Sequence, residues 1–210
     1  LTPSGTRDIA AGLGGGQALA DLDGDGTLEL VVVSASGQRV YRRGGDGSFA
    51  DVTGQVGLEA PAGDGVGIGV IAADYDNDGA VDLFVLRDRG SLLYRNDGKG
   101  RFSDATRRAR LPAYPHLPGA AAFADVDHDG DVDLLIAGLA DLGATRRQRG
   151  EWAFPAGFAP APLQLLRNNG NGTFSDITRA ARLDRRGHAV AVAPTDFDNH
   201  RDVDLLVVYR

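Results

Sequence analysis

The residues best suited to chemistry are acids at alternate positions of a nine-residue pattern that occurs four times. The copies are Asp21-Leu-Asp23-Gly-Asp25-Gly26-Thr27-Leu-Glu29, Asp74-Tyr-Asp76-Asn-Asp78-Gly79-Ala80-Val-Asp82, Asp125-Val-Asp127-His-Asp129-Gly130-Asp131-Val-Asp133 and Asp196-Phe-Asp198-Asn-His200-Arg201-Asp-Val-Asp204. Carboxylates at positions 1, 3 and 5 can converge on one point. Glycine at position 6 allows a sharp turn, a backbone carbonyl at position 7 can add a ligand, and the acid at position 9 closes the shell. All of these are hard oxygen donors, and a flexible cage of six or more such oxygens suits calcium better than magnesium. Acids pressed together without an ion repel one another and rise in pKa, so metal binding should add to folding stability. The competing reading is a set of turns stabilised by aspartate and glycine alone. Three intact copies in register favour three calcium sites. The fourth copy has His200 for the position-5 acid and Arg201 for the glycine, so Asp196, Asp198 and Asp204 form an uncertain fourth site.

The elements that must hold these loops are strands. An EF-hand needs a glutamate at position 12 and flanking helices, whereas position 12 here is Val32, Val85, Ile136 or Val207, each inside an apolar β-type run. A second motif alternates with the acidic one: Leu93-Tyr94-Arg95-Asn96-Asp97-Gly98 leading to Phe102-Ser-Asp104, and Leu165-Leu166-Arg167-Asn168-Asn169-Gly170 leading to Phe174-Ser-Asp176, with a looser copy from Val40 to Thr53. Each unit therefore reads as four strands. A glycine-rich strand such as Gly67–Ala73 enters the acidic loop, a continuous apolar strand leaves it, and a hairpin turn joins the last two. The apolar second strands, Leu30–Val33, Leu134–Ile136 and Leu205–Val208 among them, are expected to be buried on both faces. Four strands per unit of about 50 residues is the pattern of a β-propeller blade.

The predicted fold is all-β, with about three and a half four-stranded antiparallel blades in one partial propeller. The blades are placed at residues 14–58, 65–111 and 118–183, with a half blade at 187–210 and an insertion at 138–162 in the third. The insertion carries Arg146, Arg147, Arg149, Trp152, Phe154 and Phe158, which either contact a partner or fold back on the blade. Thr6–Ile9 resembles a fourth strand separated from its blade. Open apolar edges invite pairing with another chain or with further blades. A chain without methionine is expected to be a processed product or a segment of a longer polypeptide.

Composition narrows the function. More than half of the 29 acidic residues lie in the four loops, and three divalent cations would move the net charge from −7 to −1, so nucleic acid is disfavoured as a partner. There is no cysteine and no apolar run long enough to span a membrane as a helix.

These residues resemble the FG-GAP/VCBS repeat family, whose propellers include the heads of integrin α subunits, and especially the repeats found with ASPIC/UnbV-type and cartilage-acidic-protein-like proteins. The resemblance rests on Gly67-Ile-Gly69 running into Asp74-Tyr-Asp-Asn-Asp-Gly79, then Leu93-Tyr-Arg-Asn96-Asp-Gly98 and Phe102-Ser-Asp104. It implies a ring of seven or eight blades, calcium at one rim and an extracytoplasmic setting, secreted, periplasmic or at the cell surface. It also places the side chains of the first three loops, and the carbonyls of Thr27, Ala80 and Asp131, in the ligand positions. The function expected is a calcium-binding scaffold for protein or glycan partners, reached in part through the insertion. Two alternatives stand: a propeller domain of a polysaccharide-acting enzyme, or an assembly subunit completed by another chain. An enzyme would need paired acids or a perturbed histidine outside the ion loops. His116 and His188 show no obvious partner in the sequence, and the arginines after the fourth strands (Arg107, Arg108, Arg110, Arg179, Arg182, Arg185 and Arg186) read as a solvated rim.

Overall fold

The computed structural model describes residues 15–58, 65–144 and 157–210. Strands β1 (Gly16–Ala20), β2 (Glu29–Ser34), β3 (Gly37–Arg43) and β4 (Phe49–Asp51) form one four-stranded antiparallel sheet in chain order. A second such sheet contains β5 (Gly67–Ala73), β6 (Asp82–Arg87), β7 (Leu92–Asn96) and β8 (Phe102–Asp104). The third joins β9 (Leu117–Ala124), β10 (Asp133–Ala140), β12 (Gln164–Asn168) and β13 (Phe174–Asp176). Between β10 and β12 lies β11 (Ala161–Pro162), which pairs with β14 (Arg186–Gly187), and β15 (Ala189–Thr195) pairs with β16 (Asp204–Tyr209). These are antiparallel propeller blades, as the repeat predicts.

Each acidic loop joins the first two strands of its sheet. The last ladder pairs are Ala20↔Glu29, Ala73↔Asp82, Ala124↔Asp133 and Thr195↔Asp204, so the position-9 acid always sits opposite the residue that precedes the loop. The ladder thus fixes the two ends of the loop, and the loop folds between them.

Neighbouring sheets meet through their first strands, with β1 against β5, β5 against β9 and β9 against β15. Small residues make this possible. A Cβ at Gly16 would lie 2.6 Å from the Cα of Gly69, and one at Gly119 would lie 2.2 Å from the Ala189 carbonyl oxygen. The cores lie at the seams between sheets. Val31, Val33, Leu83 and Tyr94 belong to the first seam; Phe84, Leu93, Leu134 and Leu166 to the second; Leu135, Leu165 and Ala189 to the third. Backbone bonds repeat across the seams, from Phe102 N to Val56 O at 2.8 Å and from Phe174 N to Ala109 O at 3.0 Å.

Burial of the second strands follows their neighbours and not their composition. β6 and β10 are buried along their whole length, whereas β2 alternates, and β16 is half-buried or exposed despite its apolar run. The expectation for Leu30–Val33 and Leu205–Val208 is corrected accordingly, because no described sheet covers the second face of either strand. At position 2 of the acidic loops, Leu22 and Tyr75 are 2% and 1% exposed beneath the following sheet, and Phe197 is 78% exposed.

The third blade also departs from the boundaries read in the sequence. β10 runs on to Ala140, paired to β9 through bulges at Gly138↔Pro118 and Ala140↔Leu117, so the insertion begins later than Gly138. Phe158 folds back into the core that holds Phe84 and Leu134. Thr6–Ile9, the three arginines of the insertion, Trp152 and Phe154 lie outside the described residues.

Candidate metal centres

The loops share one hydrogen-bond plan. The position-1 carboxylate accepts backbone N–H bonds from the far side of the turn: Asp74 from Asp78 and Gly79 at 3.1 and 2.8 Å, Asp125 from Asp129 and Gly130 at 3.1 and 3.0 Å, and Asp21 from Gly24, Asp25 and Gly26. The plan needs a left-handed backbone at position 6, where Gly26, Gly79 and Gly130 have φ of 85°, 88° and 92°. In the fourth loop Arg201 takes the same conformation at φ 69°, and Asp196 still accepts from the amides of His200 and Arg201 at 3.0 and 2.9 Å. The turn therefore survives loss of its glycine. Its position-3 acid does not stay free, since Asp198 Oδ2 lies 2.9 Å from His200 Nδ1.

Each loop brings three acids together, with one oxygen from each within 4.8 Å of the others. The sets are Asp21, Asp23 and Glu29; Asp74, Asp76 and Asp78; Asp125, Asp127 and Asp133; and Asp196, Asp198 and Asp204. Three expected ligands fall outside these sets. Asp25 and Asp129 turn back to accept from the amides of Thr27 and Asp131 at 2.7 and 2.9 Å, and Asp82 accepts from Asn96 and Tyr75 amides at 2.7 and 3.2 Å. Ala80 sits like Thr27 and Asp131, its amide bound to the position-5 carboxylate of Asp78 at 2.9 Å.

The donor set fits a hard cation on a direct observation. Oδ1 of Asp23 and Oδ1 of Asp76, both at position 3, are buried without a hydrogen-bond partner. A buried carboxylate oxygen left unpaired is costly, and a metal ion among the converging acids would satisfy it.

The position-9 acids of the first three loops are sealed in: Glu29 and Asp82 are fully buried and Asp133 is 1% exposed, whereas Asp204 is half-buried. Burial pushes Asp82 up to about 7, against the bonds from Asn96 and Tyr75 and with the help of Asp76 and Asp78. Asp133 is raised for the same first reason. An acid whose folded pKa exceeds its unfolded value holds its proton more tightly when folded. Without metal, stability should therefore fall as pH rises from about 4 towards 7. Unfolding measured in chelator at pH 5 and pH 8 should show this loss, and Asp82→Asn should reduce it. An unchanged loss in the variant would remove Asp82 as its source.

Side chains in and beside the loops tie them to neighbouring sheets. Asn96 Nδ2 donates to Leu22 O of the preceding loop at 2.7 Å, and Asn168 Nδ2 donates to Tyr75 O at 2.7 Å. Asn77 Nδ2 donates to Asp131 Oδ1 at 2.6 Å, and His128 Nε2 lies 3.7 Å from Asp202 Oδ1. Successive loops thus touch along one rim.

With this geometry in place, the pattern described as FG-GAP-like repeat matches residues 21–85 and again 74–136, a span that begins at Asp21 and covers more than half of the chain. The chain belongs to the FG-GAP-like repeat family. Its FG-GAP repeats are similar to human cartilage acidic protein 1, with 24% identity over 175 residues, 80% of this chain and 24% of that protein. The chain thus spans about a quarter of that relative. Among solved structures it is similar to an Agrocybe aegerita lectin described as recognising non-reducing terminal N-acetylglucosamine, with a TM-score of 0.51 and 18% identity over 92% of this chain and 47% of the lectin. That likeness supports the propeller fold.

Sequence reasoning missed one feature beside the third sheet. An open cleft of about 770 Å³ beside the third sheet is lined by Tyr114, His116, Gln164, Asp176, Arg179 and Arg186 among others. His116 Nδ1 lies 3.5 Å from Asp141 Oδ1, and Arg186 Nη1 donates to Asp141 Oδ2 at 2.9 Å. His188 Nδ1 is 2.8 Å from the Leu139 carbonyl oxygen. His188 bonds, and His116 lies beside, a residue far away in sequence, with His116 Nδ1 buried and without a hydrogen-bond partner, and Arg186 is an ion-pair residue of the cleft and not simply part of a rim. Arg107, Arg108, Arg110, Arg179, Arg182 and Arg185 are exposed.

Proposed function

We propose that this chain is a calcium-stabilised binding scaffold without catalysis of its own, working outside the cytoplasm, where calcium is abundant. The carrying observation is the pair of buried, unpartnered oxygens on Asp23 and Asp76, each inside a convergent acid set that recurs from blade to blade. Calcium fits better than magnesium because the donors are many, flexible and partly bound to backbone amides, so near-ideal octahedral geometry is not imposed. The ions rigidify a rim, and the exposed surfaces between loops contact a protein or glycan partner. Similarity to a protein described as a lectin supports the glycan reading. No helix among the described residues is long and apolar enough to cross a membrane.

A second reading has its own support. The uncovered apolar residues Phe197, Leu206 and Val208 favour an assembly in which further blades cover the β15–β16 sheet.

Calorimetric titration of the chain with calcium, and separately with magnesium, tests the leading reading. Three saturable calcium sites are expected, with the loop of His200 and Arg201 weaker or empty and magnesium much weaker throughout. No calcium uptake would reduce the loops to turns and end the proposal.

A further inference from the structure

We propose that Arg42 and Arg95 are built-in cations of the first and second loops, opposing an entering metal ion, and that the third loop is for this reason the tightest site. The inference rests on the metal reading above. Arg42, in β3, bonds Asp23 Oδ2 through Nη2 and donates from Nε to Glu29 Oε1 at 3.1 Å. Arg95, in β7, donates from Nε to Asp76 Oδ2 at 2.6 Å and bonds Asp78 Oδ2 through Nη2. Both forks therefore grip two acids of the convergent sets.

The third blade has the same register but not the same contact. Leu30↔Tyr41, Leu83↔Tyr94 and Leu134↔Leu166 are equivalent pairs, so Arg42, Arg95 and Arg167 occupy equivalent positions, each one residue further on. Arg167 is exposed and makes no bond to the acids of its loop. The three loops are thus alike in acids and unlike in counter-charge.

The consequence follows from electrostatics. An ion drawn to the free Oδ1 of Asp23 or Asp76 enters beside a guanidinium already bound to Oδ2 of the same carboxylate. Like charges meet in a half-buried place where solvent screens them poorly. Either the arginine leaves or the ion is held less tightly, and both lower the affinity. Before the ion arrives, the same guanidinium offsets the repulsion among the acids. Each arginine therefore stabilises the metal-free loop and opposes metal binding. A residue that merely oriented the carboxylates for the ion would do the reverse.

Calcium titration of Arg42→Gln, Arg95→Gln and Asp127→Asn, with unfolding in calcium and in chelator, tests this. Each glutamine variant should tighten one site by roughly tenfold, and should melt lower than the parent in chelator but not in calcium. Arg95→Lys, which keeps the charge, should bind close to the parent. Asp127→Asn should remove the tightest step of the parent curve. Calcium uptake with the glutamine variants unchanged or weakened, or a tightest step that survives Asp127→Asn, overturns this inference alone. A chain that takes up no calcium overturns it together with the function proposed above.

Discussion

Chelation should lower the unfolding free energy of this chain by about 8 kcal/mol relative to calcium at a hundredfold excess over its Kd, since each of three sites contributes about 2.7 kcal/mol by linkage. For a chain of 210 residues that is a fall in melting temperature of roughly 15 to 30 °C. The size follows from where the loops stand. Each closes the ladder between the first two strands of its sheet, and its position-9 acid is buried at the last pair, as at Ala73↔Asp82. Without an ion, the convergent acids repel, Asp82 rises to about 7, and Oδ1 of Asp23 and of Asp76 stays unpaired. Calorimetry or circular dichroism in calcium and in chelator measures the difference. A shift of only a few degrees would mean that the turns hold themselves, through amide bonds such as Gly79 to Asp74, and that the ion adds little.

The blade architecture was legible because it is local. Strands, hairpins and acidic loops follow one another within about 50 residues, and the registers inside the sheets join neighbours in the chain, apart from β10 with β12 and β11 with β14. What was not legible depends on the neighbouring sheet. The apolar runs of β6 and β16 look alike, yet one is buried and the other exposed, because only the first has a sheet on each side. The ligand sets were legible as candidates. However, which three acids converge was not, since Asp25 and Asp129 fall outside their sets while Asp78, with the same amide bond two residues on, falls inside its own, and Arg42 and Arg95 reach the loops from a different strand. The contacts of His116 with Asp141 and of Asp141 with Arg186 bridge 25 and 45 residues through the third blade, and no short motif announces them.

The second large effect is expected at the asparagine that ends the third strand. Asn96 is 1% exposed and its amide spans a seam: Nδ2 donates to Leu22 O at 2.7 Å and Val81 O at 3.0 Å, while Oδ1 accepts from Gly98 and Gly100 at 3.1 and 3.2 Å. Asn96→Ala should cost about 3 kcal/mol, because it leaves buried carbonyls without donors and untethers the turn. Asn96→Asp should cost at least as much, since it cannot donate to Leu22 O and adds charge near buried Asp82. The position is about seams and not about blades. Asn168 repeats it towards Tyr75, whereas the first sheet, with no described sheet before it, has Arg43 there. Leu22 stands between Asp21 and Asp23, so loosening it should also weaken calcium in the first loop while leaving the third unaffected. Denaturant unfolding with calcium titration of Asn96→Ala measures both. A variant as stable as the parent would show that the seam is held by its apolar contacts, and one destabilised with unaltered calcium binding would show that the loops act independently of the sheets that cover them.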